Sequence, residues 1–239
     1  MEKEQNDLKQ PIGSSLNDWS AKSLPPRLPM QGRYCRVEPL DVERHAVALF
    51  QAFSNNNTAA DWTYLPYGPF ERLTDFQQWL EVDCVKDDPL FHAIIDGSTD
   101  TAAGLASYLR ITPDVGVIEV GHIHFSTLLQ KSPLATEAMF LMMRRVFDEL
   151  GYRRYEWKCD ALNKRSRRAA HRLGFTFEGV FRQATIYKKR NRDTAWFAII
   201  DSEWPDLKAA FESWLSQDNF DAEGNQIRRL DELRNNPDS

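Results

Sequence analysis

Apolar residues recur at two spacings along the chain, every second residue and every third to fourth, and their order sets the expected fold. The clearest passage runs from Val117 to Gly151, VIEVGHIHFSTLLQKSPLATEAMFLMMRRVFDELG. Val117, Ile118, Val120, Ile123 and Phe125 form a β-branched and aromatic run, which predicts a strand. Gly121 interrupts it, which predicts a bulge or a close approach to the backbone. After a short polar turn, Ala138, Leu141, Met142, Val146 and Leu150 recur at helical spacing from about Ala135. Met139, Phe140, Met143 and Phe147 widen that face, so this helix should be largely covered. Gly151 is placed as its C-cap.

Upstream, residues 1–31 are polar and rich in Pro and Ser, and read as an arm that either wraps the body or hangs free. Leu16, Trp19, Leu24 and Leu28 are its docking candidates. A strand is expected over Arg33–Leu40, then a helix capped by Asp41 with Ala46, Leu49, Phe50 and Phe53 on one side. Residues 55–58 break the pattern. The aromatic, Pro-containing stretch DWTYLPYGPF (61–70) reads as a loop that either plugs a core or lines a cleft. A helix follows over Glu71–Lys86, then strands at 89–96, 102–111 and 117–125 joined by short links, which predicts an antiparallel meander.

Downstream, YRRYEWKCD reads as a strand ending near Asp160. The link from the Val117 strand to it has βαβ length, so the two should be parallel. A short helix is expected over Asn163–Leu173, then strands at 175–182, 184–189 and 194–200 with a basic turn at 188–193. A last helix carries Leu207, Ala210, Phe211, Trp214 and Leu215. Residues 218–239 read as a polar tail or loose helix with Ile227, Leu230 and Leu233 as weak docking points. The tally predicts an α+β fold, one mixed, mostly antiparallel sheet with helices on both faces. Its parallel pair can splay where one strand is bulged, and that gap would suit an extended ligand with its phosphates at the following helix start.

Composition narrows function mainly by exclusion. A chain of 239 residues is long enough for one substantial core. A formal net charge of −5 gives no general attraction to nucleic acid or anionic membrane. Cys35, Cys84 and Cys159 have neither disulfide-framework nor metal-site spacing, so no metal is expected. No apolar run approaches the roughly 18 residues of a membrane span, and the start has no apolar signal region, so a cytoplasmic location is expected.

Three passages carry a resemblance: IEVGHIHFSTLLQKSPLATEAM, then LGYRRYEWKCDALNKRSRRAAHRLGFTFEGVFR, then RDTAWFAIIDSEWPDL. Over about residues 33–217 the chain resembles the GCN5-related N-acetyltransferase (GNAT) superfamily. Within it, the chain is most similar to the ribosomal-protein-type acetyltransferase branch. The resemblance implies a domain over residues 32–217 between the arm and the tail. It also implies acetyl-CoA as co-substrate and direct transfer of acetyl, in a ternary complex, to a primary amine on a small molecule or a protein N-terminus. The protein would be a monomer or homodimer.

The resemblance further implies that the 117–125 strand pairs with the pantetheine arm. The turn and helix start would cradle the diphosphate through Gln130, Lys131, Ser132, Leu134, Ala135 and Thr136. Here the chain departs from the family pattern: Lys131 stands where a glycine is usual, and Pro133 where another small residue is usual. Proline has no N–H, so one phosphate donor is lost, which leaves a coenzyme-binding or non-catalytic protein on this scaffold as the alternative. Asn163 would hold the pantetheine arm, cap the short helix, or both. The resemblance to that branch implies that Ser166 hydrogen-bonds near the coenzyme sulfur and helps protonate the leaving thiolate; the tyrosine that many other members use as acid is Ala170 here. Glu119 and His122 rank equally as general base, with His124 behind them. By simple alternation Glu119 points one way and both histidines the other, unless a bulge near Gly121 changes the count. Trp62, Tyr64, Tyr67 and Tyr187 are the candidate acceptor wall.

Overall fold

A computed structural model describes residues 4–54 and 59–235, and the break expected at 55–58 lies outside them. The chain makes a short hairpin, β1 (Glu4–Gln5) and β2 (Pro11–Ile12), then β3 (Met30–Gln31), β4 (Cys35–Pro39) and α1 (Val42–Ser54). Next come α2 (Leu73–Trp79), β5 (Leu90–Asp96), β6 (Thr101–Thr112), β7 (Val117–Phe125) and α3 (Pro133–Arg144). The last third holds β8 (Arg154–Asp160), α4 (Lys164–Arg172), β9 (Thr176–Tyr187), β10 (Arg190–Ile200), α5 (Trp204–Leu215) and α6 (Leu230–Asn235). Eight strands form one sheet in the order β3-β4-β5-β6-β7-β8-β10-β9. Neighbours are antiparallel except β7 and β8, which are parallel. The expected mixed sheet is therefore present, with the meander and the βαβ unit where the pattern placed them.

Each face of the sheet has its own core. On one face Met139, Met142 and Val146 of the α3 segment meet Ile118, Val120, Tyr155 and Phe197, with Phe211 of α5 behind. On the other, Leu49 and Phe53 of α1 and Phe76 and Trp79 of α2 cover Phe91, Ala93 and Leu105. Each fully buried side chain of this size contributes roughly 2 kcal/mol of transfer free energy. α3 begins with Pro133 in its first turn, slightly earlier than the apolar spacing indicated, because proline's fixed φ suits that position. Inside α3 the buried Glu137 accepts the backbone N–H groups of Arg33, Tyr34 and Cys35 at 2.8, 2.7 and 2.8 Å. Those bonds tie the helix to the turn before β4 and fix where its N-terminus points.

Three details differ from the expectation. The strands expected at 175–182 and 184–189 are one strand, β9, which passes through a bulge at Gln183 (φ +51°) instead of ending there. The basic stretch at 188–193 is mostly strand: Lys188 and Lys189, with φ of +45° and +60°, alone make a two-residue hairpin turn. The arm meets the body through Trp19, whose indole N–H donates to the Asp114 carbonyl at 2.7 Å, and through the Leu28 and Pro29 carbonyls, which accept from Arg145. Its leucines 16, 24 and 28 stay exposed. At the other end Leu230 and Leu233 are buried while Ile227 is exposed. Among the described residues no helix is long and apolar enough to cross a membrane.

Candidate active site

The site follows from one extra residue in β7. β6 and β7 pair at Ser107–Gly121 and again at Leu105–His124, so β7 spends three steps where β6 spends two. The extra residue is absorbed at His122, whose φ is +52°. Before the bulge β7 runs parallel to β8, from Val117–Arg154 to Val120–Trp157. No pairing with β8 follows Val120, and the two strands part. The strand edges beyond that point have backbone groups with no ladder partner on the open side.

A cavity of about 740 Å³ lies in that opening. Ile123, His124 and Phe125 form one wall, Trp157 and the start of α4 the opposite wall, and Ala135, Thr136 and Met139 of α3 the floor. Lys131, Lys164, Arg165 and Arg172 also line it. The one carboxylate on its wall, Asp61, is paired with Arg165 at 2.9 Å. The slot is thus apolar along its length and basic at its rim.

The helix start at one end departs from a glycine-rich cradle in sequence but keeps a cradle's backbone. Lys131 has φ +59°, the left-handed region that glycine enters most easily. Ser132 is the N-cap but makes no side-chain cap bond; its hydroxyl and its N–H both donate to the Leu129 carbonyl, at 2.7 and 3.3 Å. Pro133 contributes no donor. The N–H groups left over in the first turn are those of Leu134 and Ala135, because the Thr136 N–H closes the first helical bond on the Ser132 carbonyl. Gln130 is turned back, its side-chain amide donating to the Phe125 carbonyl at 2.9 Å. Arg172 of α4 donates to the Thr136 hydroxyl at 3.0 Å across the cavity floor.

At the other end Asn163 caps α4, its side-chain oxygen accepting the Ser166 N–H at 3.1 Å. The Ser166 hydroxyl accepts the Trp157 indole N–H at 2.9 Å, which leaves its own O–H to donate. Both residues line the cavity, whereas Ala170 is fully buried beneath it.

On the α1/α2 face the bulge changes which side chains meet. Ile118 and Val120 point into the α3 core, and Glu119 points away from it. Because His122 takes an extra step, His122 and His124 join Glu119 on that face, contrary to simple alternation. His122 shares a 2.9 Å hydrogen bond with the Tyr67 hydroxyl, and Tyr67 packs on Trp79. Burial, then the Arg110 and Arg192 charges, pushes the His122 pKa down to about 4, so its ring is neutral near pH 7. His124 lies between the Phe53 and Trp62 rings and is pushed to about 4 by burial, with Asp61 opposing. Glu119 accepts Arg110 at 2.8 Å and Lys158 at 2.9 Å. Burial raises its pKa and those two cations pull it back.

The four aromatics have different surroundings. Tyr64 lines the cavity and donates to the Leu162 carbonyl at 3.3 Å. Trp62 is 4% exposed and packs in the α1/α2 core, while its carbonyl receives Lys188 at 2.8 Å. Tyr67 stands over His122. Tyr187 donates to the buried Asp160 carboxylate at 2.8 Å, and its pKa rises to about 12, by burial first and then by that bond. Of the residues expected from sequence, the structure gathers the cradle, Asn163, Ser166 and Tyr64 around one cavity, and Glu119, His122 and Tyr67 on a second, adjoining face. By simple alternation, sequence reasoning points Glu119 and His122 apart. It misses Arg110, Lys158, Arg192, Trp157 and Arg172. Lys158 and Trp157 could have been noticed as consecutive residues on opposite faces of β8, but only beside the wrong count for β7.

Comparison with known proteins bears on this geometry. A family model described as an acetyltransferase (GNAT) domain matches residues 36–176. A GCN5-related N-acetyltransferase from Brucella melitensis is 47% identical, with a TM-score of 0.90 over 92% of this chain and 100% of its own. A probable acetyltransferase (GNAT family) from Chromobacterium violaceum is 40% identical, with a TM-score of 0.76 over 82% of this chain and 98% of its own. The microcin C7 self-immunity acetyltransferase MccE, solved with acetyl-CoA and AMP, is 20% identical and shares the fold, with a TM-score of 0.61 over 71% of this chain and 93% of its own. No curated protein matches the chain.

Proposed function

The chain belongs to the GNAT acetyltransferase family, and from that premise we propose that it transfers an acetyl group from acetyl-CoA directly to a primary amine in a ternary complex. The observation that carries this reading is the parting of β7 and β8 at the His122 bulge, which opens a cavity of about 740 Å³ against the first turn of α3. The residues present fit the coenzyme. A basic rim suits its phosphates, the unpaired edge of β7 suits an extended amide-bearing arm, and the apolar middle suits its alkyl parts. The ribosomal-protein-type branch and a cytoplasmic setting are part of the same proposal.

Acetyl-CoA supplies an acyl group activated as a thioester. The rest falls to this chain's own groups. The N–H groups of Leu134 and Ala135, with Lys131 and the Thr136 hydroxyl, hold phosphate oxygens at the positive end of α3. The β7 edge from Gly121 to Phe125 aligns the extended arm. Asn163 fixes the start of α4 and so sets where Ser166 points. The Ser166 O–H donates a hydrogen bond to the leaving sulfur, and a water-borne proton passing through that hydroxyl, which is reprotonated as it gives its own, releases the thiol. His122 takes the proton from the acceptor amine; it is neutral near pH 7, and the Tyr67 hydroxyl orients its ring. A weak base suffices, because an amine proton becomes much more acidic once its nitrogen bonds to an acyl carbon. Glu119 is already shared by Arg110 and Lys158, so its part is to hold those cations. Tyr64 borders both the cavity and the acceptor side.

A second reading has its own observation. Pro133 lacks a donor and the Ser132 N–H is spent on Leu129, so the cradle offers fewer free N–H groups than its length suggests. A protein that binds the coenzyme without turning it over would share all other features. Calorimetric titration with acetyl-CoA, followed by thiol release in the presence of an amine panel, separates the two. Binding with amine-dependent release supports the enzyme, and binding without release supports the second reading. Absence of binding at millimolar acetyl-CoA removes both.

A further inference from the structure

The acceptor-side face of the sheet carries a row of charges that is balanced except at one end. Arg110 pairs with Glu119, Lys158 with Glu119 and Glu156, and Arg154 with Glu156 and Glu178. Glu119 and Glu156 each have two cationic donors, and Glu178 has Arg154. The row ends at Arg192 on β10. Ala195, Phe197 and Ile199 of β10 lie in the α3-side core, so by alternation Thr194 and Trp196 face the other way, and Arg192 with them. Trp196 confirms the face, since the Lys158 ammonium sits 3.7 Å from its ring centre.

Arg192 has no carboxylate partner among the described residues. Its guanidinium lies 5.9 Å from the centre of the Tyr187 ring, and its Nε is shielded from solvent with no hydrogen-bond partner. The nearby carboxylates are committed elsewhere. Asp160 accepts the Leu162 N–H and the Tyr187 hydroxyl at 2.8 Å each, and Asp193 accepts the Gln183 N–H and the Asn191 amide. A second donor on the same face, the Trp196 indole N–H, is likewise buried without an acceptor. Leaving a buried donor unfilled costs free energy, and a charged donor costs more than a neutral one. Both unfilled groups are donors, so what completes them is rich in acceptors, and one of them asks for negative charge. The Arg192 charge reaches the proton-accepting ring, since it helps depress the His122 pKa.

We propose that the acceptor is a small acidic amine, and that Arg192 binds its carboxylate or phosphate while the amine sits at His122. This rests on the reading of the site as an amine acetyltransferase. An arginine is suited to either anion, because its planar fork matches both in bidentate geometry. A protein N-terminus has its first α-carboxyl tied up in a peptide bond and offers such a group only where its first side chain is itself acidic.

The test compares amines that differ only in the acidic group: alanine with alaninamide, and phosphoethanolamine with ethanolamine. Thiol release is followed for the wild-type protein, Arg192→Gln and Arg192→Lys. In at least one pair the acidic member should have a KM at least about tenfold lower, as one charge-assisted pair allows. That ratio should collapse toward one in Arg192→Gln and be partly kept in Arg192→Lys, and the pair that responds tells carboxylate from phosphate. Equal KM values within both pairs, or a preference that survives Arg192→Gln, would overturn the proposal. If no amine is turned over, the acetyltransferase reading fails instead, and the anion is judged by calorimetry on the coenzyme-A-bound protein. Tighter binding of phosphoethanolamine than ethanolamine, or of alanine than alaninamide, then supports it, and equal affinities in both pairs overturn it.

Discussion

The two sides of the cleft are built from different materials. The proposed coenzyme side is made of backbone and helix ends: the free edge of β7, the first turn of α3 and the capped start of α4. The proposed acceptor side is made of side chains crowded on one face of the sheet: Tyr67, His122, Glu119, Lys158 and Arg192. A site made of backbone tolerates changes in side-chain identity, which is how Lys131 and Pro133 can stand where small residues are usual. A site made of side chains depends on which way each residue points, and so on a single bulge.

That contrast is broken most strongly at His122. Replacing it with alanine removes the proposed proton acceptor and leaves the slot alone. We expect kcat/KM for the amine to fall by about 10²–10⁴, with the acetyl-CoA Kd little changed. A parallel rise in Kd would mean that the imidazole supports the bulge, and that the two sides are one unit. The converse change is Ala135→Trp, which places a large ring over the first turn of α3 where Ala135 lines the cavity. Acetyl-CoA binding should weaken by at least about 100-fold, equivalent to roughly 2.7 kcal/mol. The far-UV spectrum and Tm should stay near wild type, because the change fills open space instead of core. Retained binding would place the coenzyme elsewhere.

Acid should act first where neutral histidines are buried, two of them on the acceptor side. Burial holds His122 and His124 near 4 there, and His92 near 3 on the α3 face beside Tyr108, against a usual value of 6.5. Between pH 6.5 and 4 the unfolded chain therefore binds more protons than the folded one, so stability falls as pH is lowered through that window. Each group contributes on the order of 1 kcal/mol per pH unit there. The Tm should drop by several degrees from pH 7 to pH 5, and His124→Phe should flatten that slope. A Tm independent of pH over this range would show that the histidines are not held neutral by burial.

What could be read from the sequence divides along the same line. The meander, the parallel pair and the two covered faces follow from apolar spacing and link length, which the fold preserves; the placing of β10 between β8 and β9 does not. Asn163 and Ser166 are legible because a cap and the residue three positions on are locally determined. Glu119, His122 and His124 are legible as chemistry but not as a group, since strand alternation puts them on opposite faces and only the register with β6 reveals the extra step. Arg192 was read as part of a basic turn. Its place on a strand depends on the Lys188–Lys189 hairpin, where two left-handed lysines occupy positions that normally favour asparagine or glycine.

The smallest expected effect tests whether the coenzyme side is indifferent to side chains. Lys131→Gly restores the residue that left-handed backbone favours. At φ +59° lysine carries a strain of roughly 1 kcal/mol, and glycine removes it. Glycine also frees the unfolded chain by roughly 0.4–1 kcal/mol in the opposite direction, so the Tm should move by only a degree or two. Binding has no such cancellation. The exposed ammonium adds a screened attraction for phosphate, so its loss should weaken acetyl-CoA by a few fold at low salt and less at about 0.15 M ionic strength. Tighter binding by the glycine variant would mean that the Lys131 side chain obstructs the cradle. The coenzyme side would then prove as dependent on its side chains as the acceptor face.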